Sequence, residues 1–251
     1  MRILLLSDIH ANLEALEACL AAAPSFDLVV NLGDIVGYGA SPNEVADRAR
    51  ELGKTSVRGN HDKAATGLMP IEDFNPIAAA AAIWTRQQLT PENLHWLSVL
   101  PQGPLVVPEF PDIQLVHGSP IDEDEYVVSL GEALAPLLIP DIALTFFGHT
   151  HLQGGFFANG TAADGFHPDY RTIGQAENVS LQLKNGVRYL INPGSVGQPR
   201  DGDWRAAFAV FDTDTRTVHF HRTPYNLKSA QDRIFAANLP ARLATRLATG
   251  R

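Results

Sequence analysis

Short unbroken apolar runs alternate along the chain with longer segments of helical spacing. RILLLS (2–7) is an apolar run of the kind that forms a strand covered on both faces. Asn12 then precedes LEALEACLAAA, whose Leu and Ala spacing and early Glu14 predict a capped amphipathic helix. FDLVVNL (26–32) is the next predicted strand, Ser41-Pro42 opens a helix running to Leu52, and KTSVR (54–58) is a third strand. The order β-α-β-α-β predicts a mostly parallel sheet with helices outside it.

Two helices follow, NPIAAAAAIWTRQQL (75–89) and PENLHWLSVL (91–100), each opened by a proline. Strands resume at PLVV (104–107) and IQLVHG (113–118), then a helix at SLGEALAPLL (129–138) and a strand at IALTFF (142–147). From about 152 to 186, Gly, Asn, Asp and Thr punctuate short segments, which predicts an antiparallel insertion with a hairpin turn at Asn185-Gly186. RYLINPGS (188–195), AAFAVFD (206–212) and TVHFHRT (217–223) return to strand patterns, two of them expected to form an antiparallel second sheet. The tail from Asn226 reads as helical, and residues 1–251 are expected to form a single domain.

The pattern gains chemistry at the strand ends. After RILLLS comes Asp8-Ile9-His10; after LVVNL, Gly33-Asp34; after KTSVR, Gly59-Asn60-His61-Asp62; after IQLV, His117-Gly118; after IALTFF, Gly148-His149-Thr150-His151. Ligand crevices of open parallel sheets lie beyond the carboxyl ends of the strands, so all five groups should meet at one rim. Residues i and i+2 of an extended chain point the same way, which would let Asp8 act with His10 and His149 with His151. Gly33, Gly59 and Gly148 would allow sharp turns and close approach.

Asp8, His10, Asp34, Asn60, His117, His149 and His151 are too many ligands for one ion. Two divalent ions sharing a carboxylate would use them all and leave positions for water. Oxygen and nitrogen donors without thiolate suit Mn²⁺, Fe, Zn²⁺ or Ni²⁺ better than Ca²⁺. Two such ions leave a net positive pocket beside the two aspartates, which favours a phosphate ester or anhydride.

Composition narrows the partners. The chain has 251 residues, 45% of them apolar, enough for a buried core. A net charge of −9, from 19 basic and 28 acidic side chains, argues against nucleic-acid polymers and membrane surfaces as partners. The single cysteine, Cys19, excludes an internal disulfide and fits a cytoplasmic location. No segment reads as a signal sequence or a transmembrane helix. Oligomeric state has no signature in the sequence.

The blocks SDIH, GD, GNHD, HG and GHTH, in this order on these strand ends, resemble the calcineurin-like metallophosphoesterase superfamily over about residues 1–223. INPGSVGQPRDGD (191–203) is similar to its small bacterial branch of phosphodiesterases and diadenosine-tetraphosphatase-like proteins. The resemblance implies an α/β fold: a two-sheet αββα sandwich of mixed, largely parallel sheets flanked by helices, with the antiparallel insertion added. It implies that Asp8, His10 and His151 hold one metal, that Asn60, His117 and His149 hold the other, and that Asp34 bridges them together with a water or hydroxide. His61 would protonate the leaving oxygen or bind the phosphoryl group, and Asp62 would orient His61 and keep it charged. The implied reaction is direct attack of the bridging hydroxide on a soluble, small phosphorylated substrate, with nucleotides among the candidates.

Asn12, Arg58, His167 and Arg200 are further candidates for substrate contact. Asn12 also serves as a helix cap, His167 lies with Tyr170 in the insertion, and Arg200 has Asp201 and Asp203 as alternative partners. His219 and His221 share the spacing of GHTH but lack its glycine and fit an exposed strand face. The acidic run IDEDEY (121–126) reads as a solvated loop or as a repellent of polyanions. Two other functions fit the same ligands: a protein serine/threonine phosphatase, and a non-catalytic metal-stabilised module docking through strands 154–186.

Overall fold

Alternate residues of the first strand enter different cores. The computed structural model describes residues 1–53, 55–72, 74–107, 109–160 and 162–251. In it, Ile3 and Leu5 of β1 (Arg2–Leu6) join one buried cluster while Leu4 and Leu6 join another. Both faces of β1 are therefore covered, as its uninterrupted apolar run requires.

The chain continues through α1 (Leu13–Ala22), β2 (Leu28–Asn31), α2 (Pro42–Leu52), β3 (Thr55–Ser56), α3 (Asn60–Thr66), α4 (Pro76–Gln88) and α5 (Pro91–Ser98). Next come β4 (Leu105–Val107), β5 (Phe110–Leu115), α6 (Leu130–Leu137), β6 (Leu144–Phe146), β7 (Gly154–Asn159) and β8 (Ala162–Phe166). The last elements are β9 (Glu177–Gln182), β10 (Arg188–Asn192), β11 (Ala206–Asp212), β12 (Thr217–Thr223), α7 (Leu227–Ala236) and α8 (Ala241–Leu247). Asparagine caps recur where the sequence predicts them. Asn12 accepts the Ala15 amide at 3.2 Å, and Asn75 accepts those of Ile77 and Ala78 at 3.1 Å.

Two six-stranded sheets result, ordered β3-β2-β1-β11-β12-β9 and β4-β5-β6-β10-β7-β8. Leu5, Val30, Phe211, Leu115, Phe146 and Ile191 pack between them. Helices α1, α2, α7 and α8 cover the outer face of the first sheet through Leu16, Val45, Ile234 and Leu243. Helix α6 covers the second through Ala133 and Leu137. The order of layers is α, β, β, α. No described helix is long and apolar enough to cross a membrane.

Both sheets are mixed. Parallel pairing is confined to β1–β2–β3 and to β5–β6–β10, the strands that lead into the ligand blocks and Asn192; the other six of the ten described pairings are antiparallel. "Largely parallel" therefore holds only for the ligand-bearing half. Strands β11 and β12 do not found a second sheet, because β11 pairs with β1 and extends the first. The insertion is divided between the two sheets: β7 and β8 form a hairpin beside β10, while β9 edges the first sheet. Asn185-Gly186 is consequently no hairpin turn but the link from β9 in one sheet to β10 in the other. Lys54 of KTSVR and Thr161 of the insertion lie outside the described residues.

A buried polar network ties the insertion to both sheets. The Gln153 amide donates to the carbonyls of Pro193 and Phe208 at 2.8 and 3.2 Å. Its oxygen accepts from Tyr170 at 2.7 Å and from Arg222 Nε at 3.1 Å. Arg222 is buried and paired with Asp201. Removing one partner of a buried pair leaves an uncompensated charge. Asp201 is partly solvated, so Asp201→Ala should cost about 2 kcal/mol, a drop of several degrees in thermal midpoint. Thermal unfolding of the two proteins checks this.

Candidate metal centre

The loops after the parallel strands carry the ligands in unusual backbone conformations. Asp8, His10, Asp34, His149 and His151 all have positive φ, between 51° and 67°. They make up five of the ten described non-glycine residues in that region. Such conformations cost of order 1 kcal/mol each and collect at functional sites. They also correct the expectation of pleated i, i+2 pairs. Strand β1 ends at Leu6, so Asp8 and His10 are aimed by a left-handed loop rather than by strand alternation.

Glycine permits the crowding. A Cβ on Gly59 would lie 2.1 Å from Asp34 Oδ1, and one on Gly148 would lie 2.0 Å from Ser7 Oγ.

Ligand atoms of Asp8, His10, Asp34 and His151 lie within 4.8 Å of one another, as do those of Asp34, His117 and His149. All are buried. Asp34 belongs to both groups. Its Oδ1 accepts the His61 amide at 2.8 Å, while Oδ2 stands 3.6 Å from His10 Nε2 and 3.5 Å from His117 Nε2. Asn60 joins the second group through Oδ1, 3.2 Å from His117 Nε2.

Backbone carbonyls orient the imidazoles. Nδ1 of His10 faces the Val36 carbonyl at 3.2 Å, that of His117 the Leu32 carbonyl at 2.7 Å, and that of His151 the Gln198 carbonyl. A carbonyl only accepts, so each of these nitrogens carries the hydrogen and each Nε2 turns inward. His149 is reversed: its Nε2 donates to the Asp124 carbonyl at 3.1 Å, leaving Nδ1 for the centre. Such outer partners are the usual means of fixing a metal-ligating histidine.

The donor set fits a cation. The inward Nε2 atoms of His10 and His151 face each other at 3.1 Å, two lone pairs with no hydrogen between them in the neutral rings. Asp8 Oδ2 accepts from Ser7 Oγ at 2.6 Å and from the His149 amide at 3.1 Å, but its buried Oδ1 has no hydrogen-bond partner. Buried atoms of this kind require a positive partner.

Electrostatics agree. Burial lowers His10 well below its ordinary value and takes His149 down to about 3, so both rings are neutral. Burial also opposes ionisation of Asp8 and Asp34, yet the neighbouring histidines hold both carboxyls below the usual range. His117 is the exception. Despite burial, the Asp34 carboxylate raises it to about 9.

His61 lines a cavity of about 230 Å³ with Asn60, His149, Phe74, Tyr126 and Asp124. Its ring lies 4.9 Å from that of His10 and 4.2 Å from that of Tyr38, and its buried Nδ1 has no hydrogen-bond partner. Asp62 does not orient it. The Asp62 carboxylate accepts the amides of Gly59 at 3.0 Å, Ile35 at 3.0 Å and Val36 at 3.1 Å, clamping the start of α3 to the Asp34 loop. Burial lowers His61 to about 4, so the expected charged ring is instead neutral, while burial and the Asp34 charge raise Asp62 to about 7.

The four further candidates separate. Asn12 is spent on structure, its oxygen capping α1 and its Nδ2 donating to the Gly197 carbonyl at 2.9 Å. Arg58 is held at two points by Glu123, both 3.0 Å, and does not face the centre as a free cation. His167 is exposed and outside both ligand groups. Arg200 stays near: its amide donates to the His151 carbonyl at 3.3 Å, and its charge bears on His61 and His151. Its two suggested partners are taken, Asp201 by Arg222 and Asp203 by Arg205.

The acidic run is likewise no free repellent. Lys63 pairs with Glu123 at 3.0 Å and with Asp124 at 2.6 Å, bracing the segment whose carbonyl orients His149. His219 and His221 play no part in the centre. The former bonds Ser180 at 2.7 Å and the latter stacks on Phe208 at 4.6 Å.

Several contributors are not among the candidate site residues. Ser195 Oγ donates to the Asp8 carbonyl at 2.8 Å, and Asn192 Nδ2 donates to the Gly148 carbonyl at 2.7 Å, so the turn after β10 holds two ligand loops. Tyr38, Phe74 and Tyr126 form walls around His61 and His149, with the Tyr126 ring tilted over that of His149 at 3.8 Å between centroids.

Comparison with known proteins agrees with this geometry. Residues 1–153 match the calcineurin-like phosphoesterase family. A metallophosphoesterase from Sphaerobacter thermophilus is 41% identical and superposes with a TM-score of 0.84 over the whole of both chains. PH1004 from Pyrococcus horikoshii shares the fold, with 21% identity and a TM-score of 0.78 over 100% of this chain and 98% of its own. The uncharacterised protein MJ0912 of Methanocaldococcus jannaschii is 35% identical over 99% of this chain and 98% of its own. With its Asp and His groups gathered at the ends of the parallel strands, the chain belongs to the calcineurin-like phosphoesterases, a family of metal-dependent phosphoric ester hydrolases.

Proposed function

We propose that the chain hydrolyses a small, soluble phosphate ester at a centre of two divalent ions. The observation that carries this reading is Asp34, whose Oδ2 lies 3.5–3.6 Å from a histidine nitrogen of each ligand group. Asp8, His10 and His151 would hold one ion, Asn60, His117 and His149 the other, and Asp34 both. When bound, the two ions, Mn²⁺ foremost and Fe, Zn²⁺ or Ni²⁺ as alternatives, would draw charge from the phosphoryl oxygens and acidify a shared water.

The chain supplies the remaining work. Water oxygen bonds to phosphorus, the ester P–O bond breaks, and the departing oxygen needs a proton. His61, neutral in the cavity it lines beside Asn60 and His149, is the group positioned to take up the proton that the attacking water loses and pass it to that oxygen. Arg200 adds positive charge on the His61 and His151 side. Phe74, Met69 and Tyr126 wall the cavity, limiting water and accommodating an organic leaving group. A cavity of about 230 Å³ suits a small ester better than the open groove a phosphopeptide needs.

Purified protein supplied with Mn²⁺ should hydrolyse bis-p-nitrophenyl phosphate; a metal-loaded but inert protein would overturn the reading. His61→Gln should lower kcat about 10²-fold with metal content unchanged. Loss of metal together with activity would instead make His61 a structural residue.

A further inference from the structure

The C-terminal helix brings two more cations close to this site. Arg242 and Arg246 of α8, with Tyr38, Asn75, Pro76, Ile77 and Leu243, line a second cavity of about 630 Å³. Tyr38 and Asn75 line both cavities, so the second adjoins the one that holds His61. The Arg246 guanidinium sits 5.8 Å from the centre of the Tyr38 ring, whose other neighbours are His61 at 4.2 Å and His10 at 4.7 Å.

Among the described residues, no carboxylate side chain pairs with Arg200, Arg242 or Arg246. Other arginines of this acidic chain are paired with carboxylates, as Arg48, Arg50, Arg58, Arg205 and Arg222 are, or donate to backbone carbonyls, as Arg86 and Arg188 do. Arg200 keeps only a 3.3 Å contact to Gln198, and its Nε is buried without a partner. Arg246 donates through Nε to a backbone oxygen of Arg251, the last residue of the sequence. Burial and the charges of Arg200 and Arg242 hold Arg246 below its ordinary value, a mark of three like charges gathered together.

From this juxtaposition we infer that Arg200, Arg242 and Arg246 form an anion subsite across Tyr38 from the metal centre, and that the substrate carries a second phosphate. The inference rests on the phosphoesterase reading and narrows it to phosphate-rich esters or anhydrides such as nucleoside polyphosphates. Guanidinium groups suit phosphate through paired N–H donors, and three that no carboxylate side chain neutralises repel one another until an anion binds. The apolar edge of Pro76, Ile77 and Leu243 beside them would receive the organic part.

The test compares wild type with the Arg242→Ala/Arg246→Ala variant. Both side chains are at least partly exposed on α8, and thermal melting checks that the variant folds. Calorimetric titration without added metal should give the wild type about tenfold tighter binding of adenosine 5′-diphosphate than of the monophosphate, and the variant should lose that preference. Hydrolysis of bis-p-nitrophenyl phosphate, which has no second phosphate, should stay within about twofold of wild type, the small change expected of groups away from the reacting phosphate. An Arg242→Lys/Arg246→Lys variant should recover part of the preference. Equal affinities in the wild type, or an unchanged preference in the alanine variant, would overturn the subsite. An inert wild type that still prefers the diphosphate through these arginines would sink the hydrolase reading and leave the subsite standing.

Discussion

Asp34→Asn will abolish metal-dependent hydrolysis of bis-p-nitrophenyl phosphate, with a loss of at least about 10³-fold, the upper end for removal of one stabilising group. The substitution keeps shape and removes charge. Asp34 Oδ1 accepts the His61 amide, and the neutral side chain can still do so through its oxygen. What cannot survive is the negative Oδ2 between His10 and His117. The amide NH₂ there would point donors at the space a cation must fill. Both ligand groups include this carboxylate, so metal content measured after desalting should fall below one equivalent rather than by half. A variant that retains two equivalents and full activity would remove Asp34 from the mechanism.

Gly59→Ala should be nearly as damaging, although Gly59 ligates nothing. Its φ is −105°, open to any residue, so the effect is purely steric. The new methyl would stand 2.1 Å from Asp34 Oδ1 and 2.3 Å from the Asp34 amide nitrogen. Neither can retreat freely, because Asp62 clamps Gly59 to the Ile35 and Val36 amides of the same loop. Overpacking of this kind costs about 2–3 kcal/mol, and relief must come from moving Asp34. Thermal unfolding should register the stability loss. Metal titration should show at least tenfold weaker binding, comparable to losing an outer partner of a ligand. Unchanged affinity would mean that the loop yields without moving the carboxylate.

The ligands were legible because chemistry and punctuation coincide in the sequence. Aspartate, histidine and asparagine follow predicted strands at five places, often behind a glycine, and strands β1, β2, β3, β5 and β6 end within two residues of those predicted ends. Their aim was not legible. Positive φ at Asp8, His10, Asp34, His149 and His151 is imposed by hydrogen bonds from afar, such as Ser195 to Asp8, 187 residues apart. Sequence adjacency also misleads. His61 and Asp62 are neighbours on α3, and consecutive helical residues diverge, so Asp62 reaches Gly59 and the Asp34 loop while His61 faces the cavity.

The expectation that two of the last three strands pair in a second sheet failed for a related reason. An antiparallel apolar pair looks the same in either sheet, and the choice is made by the pairing of β11 with β1, more than 200 residues away in sequence at Arg2 and Asp212. Arg242 and Arg246 lie in a tail with no motif, and only the packing of α7 and α8 against the first sheet's helical layer carries them to Tyr38.

The most direct measurement is anomalous diffraction from crystals grown with Mn²⁺. The account predicts two peaks roughly 3.5–4 Å apart on either side of the Asp34 carboxylate, one among Asp8, His10 and His151 and one among Asn60, His117 and His149. A single peak, or two that do not share Asp34, would contradict it.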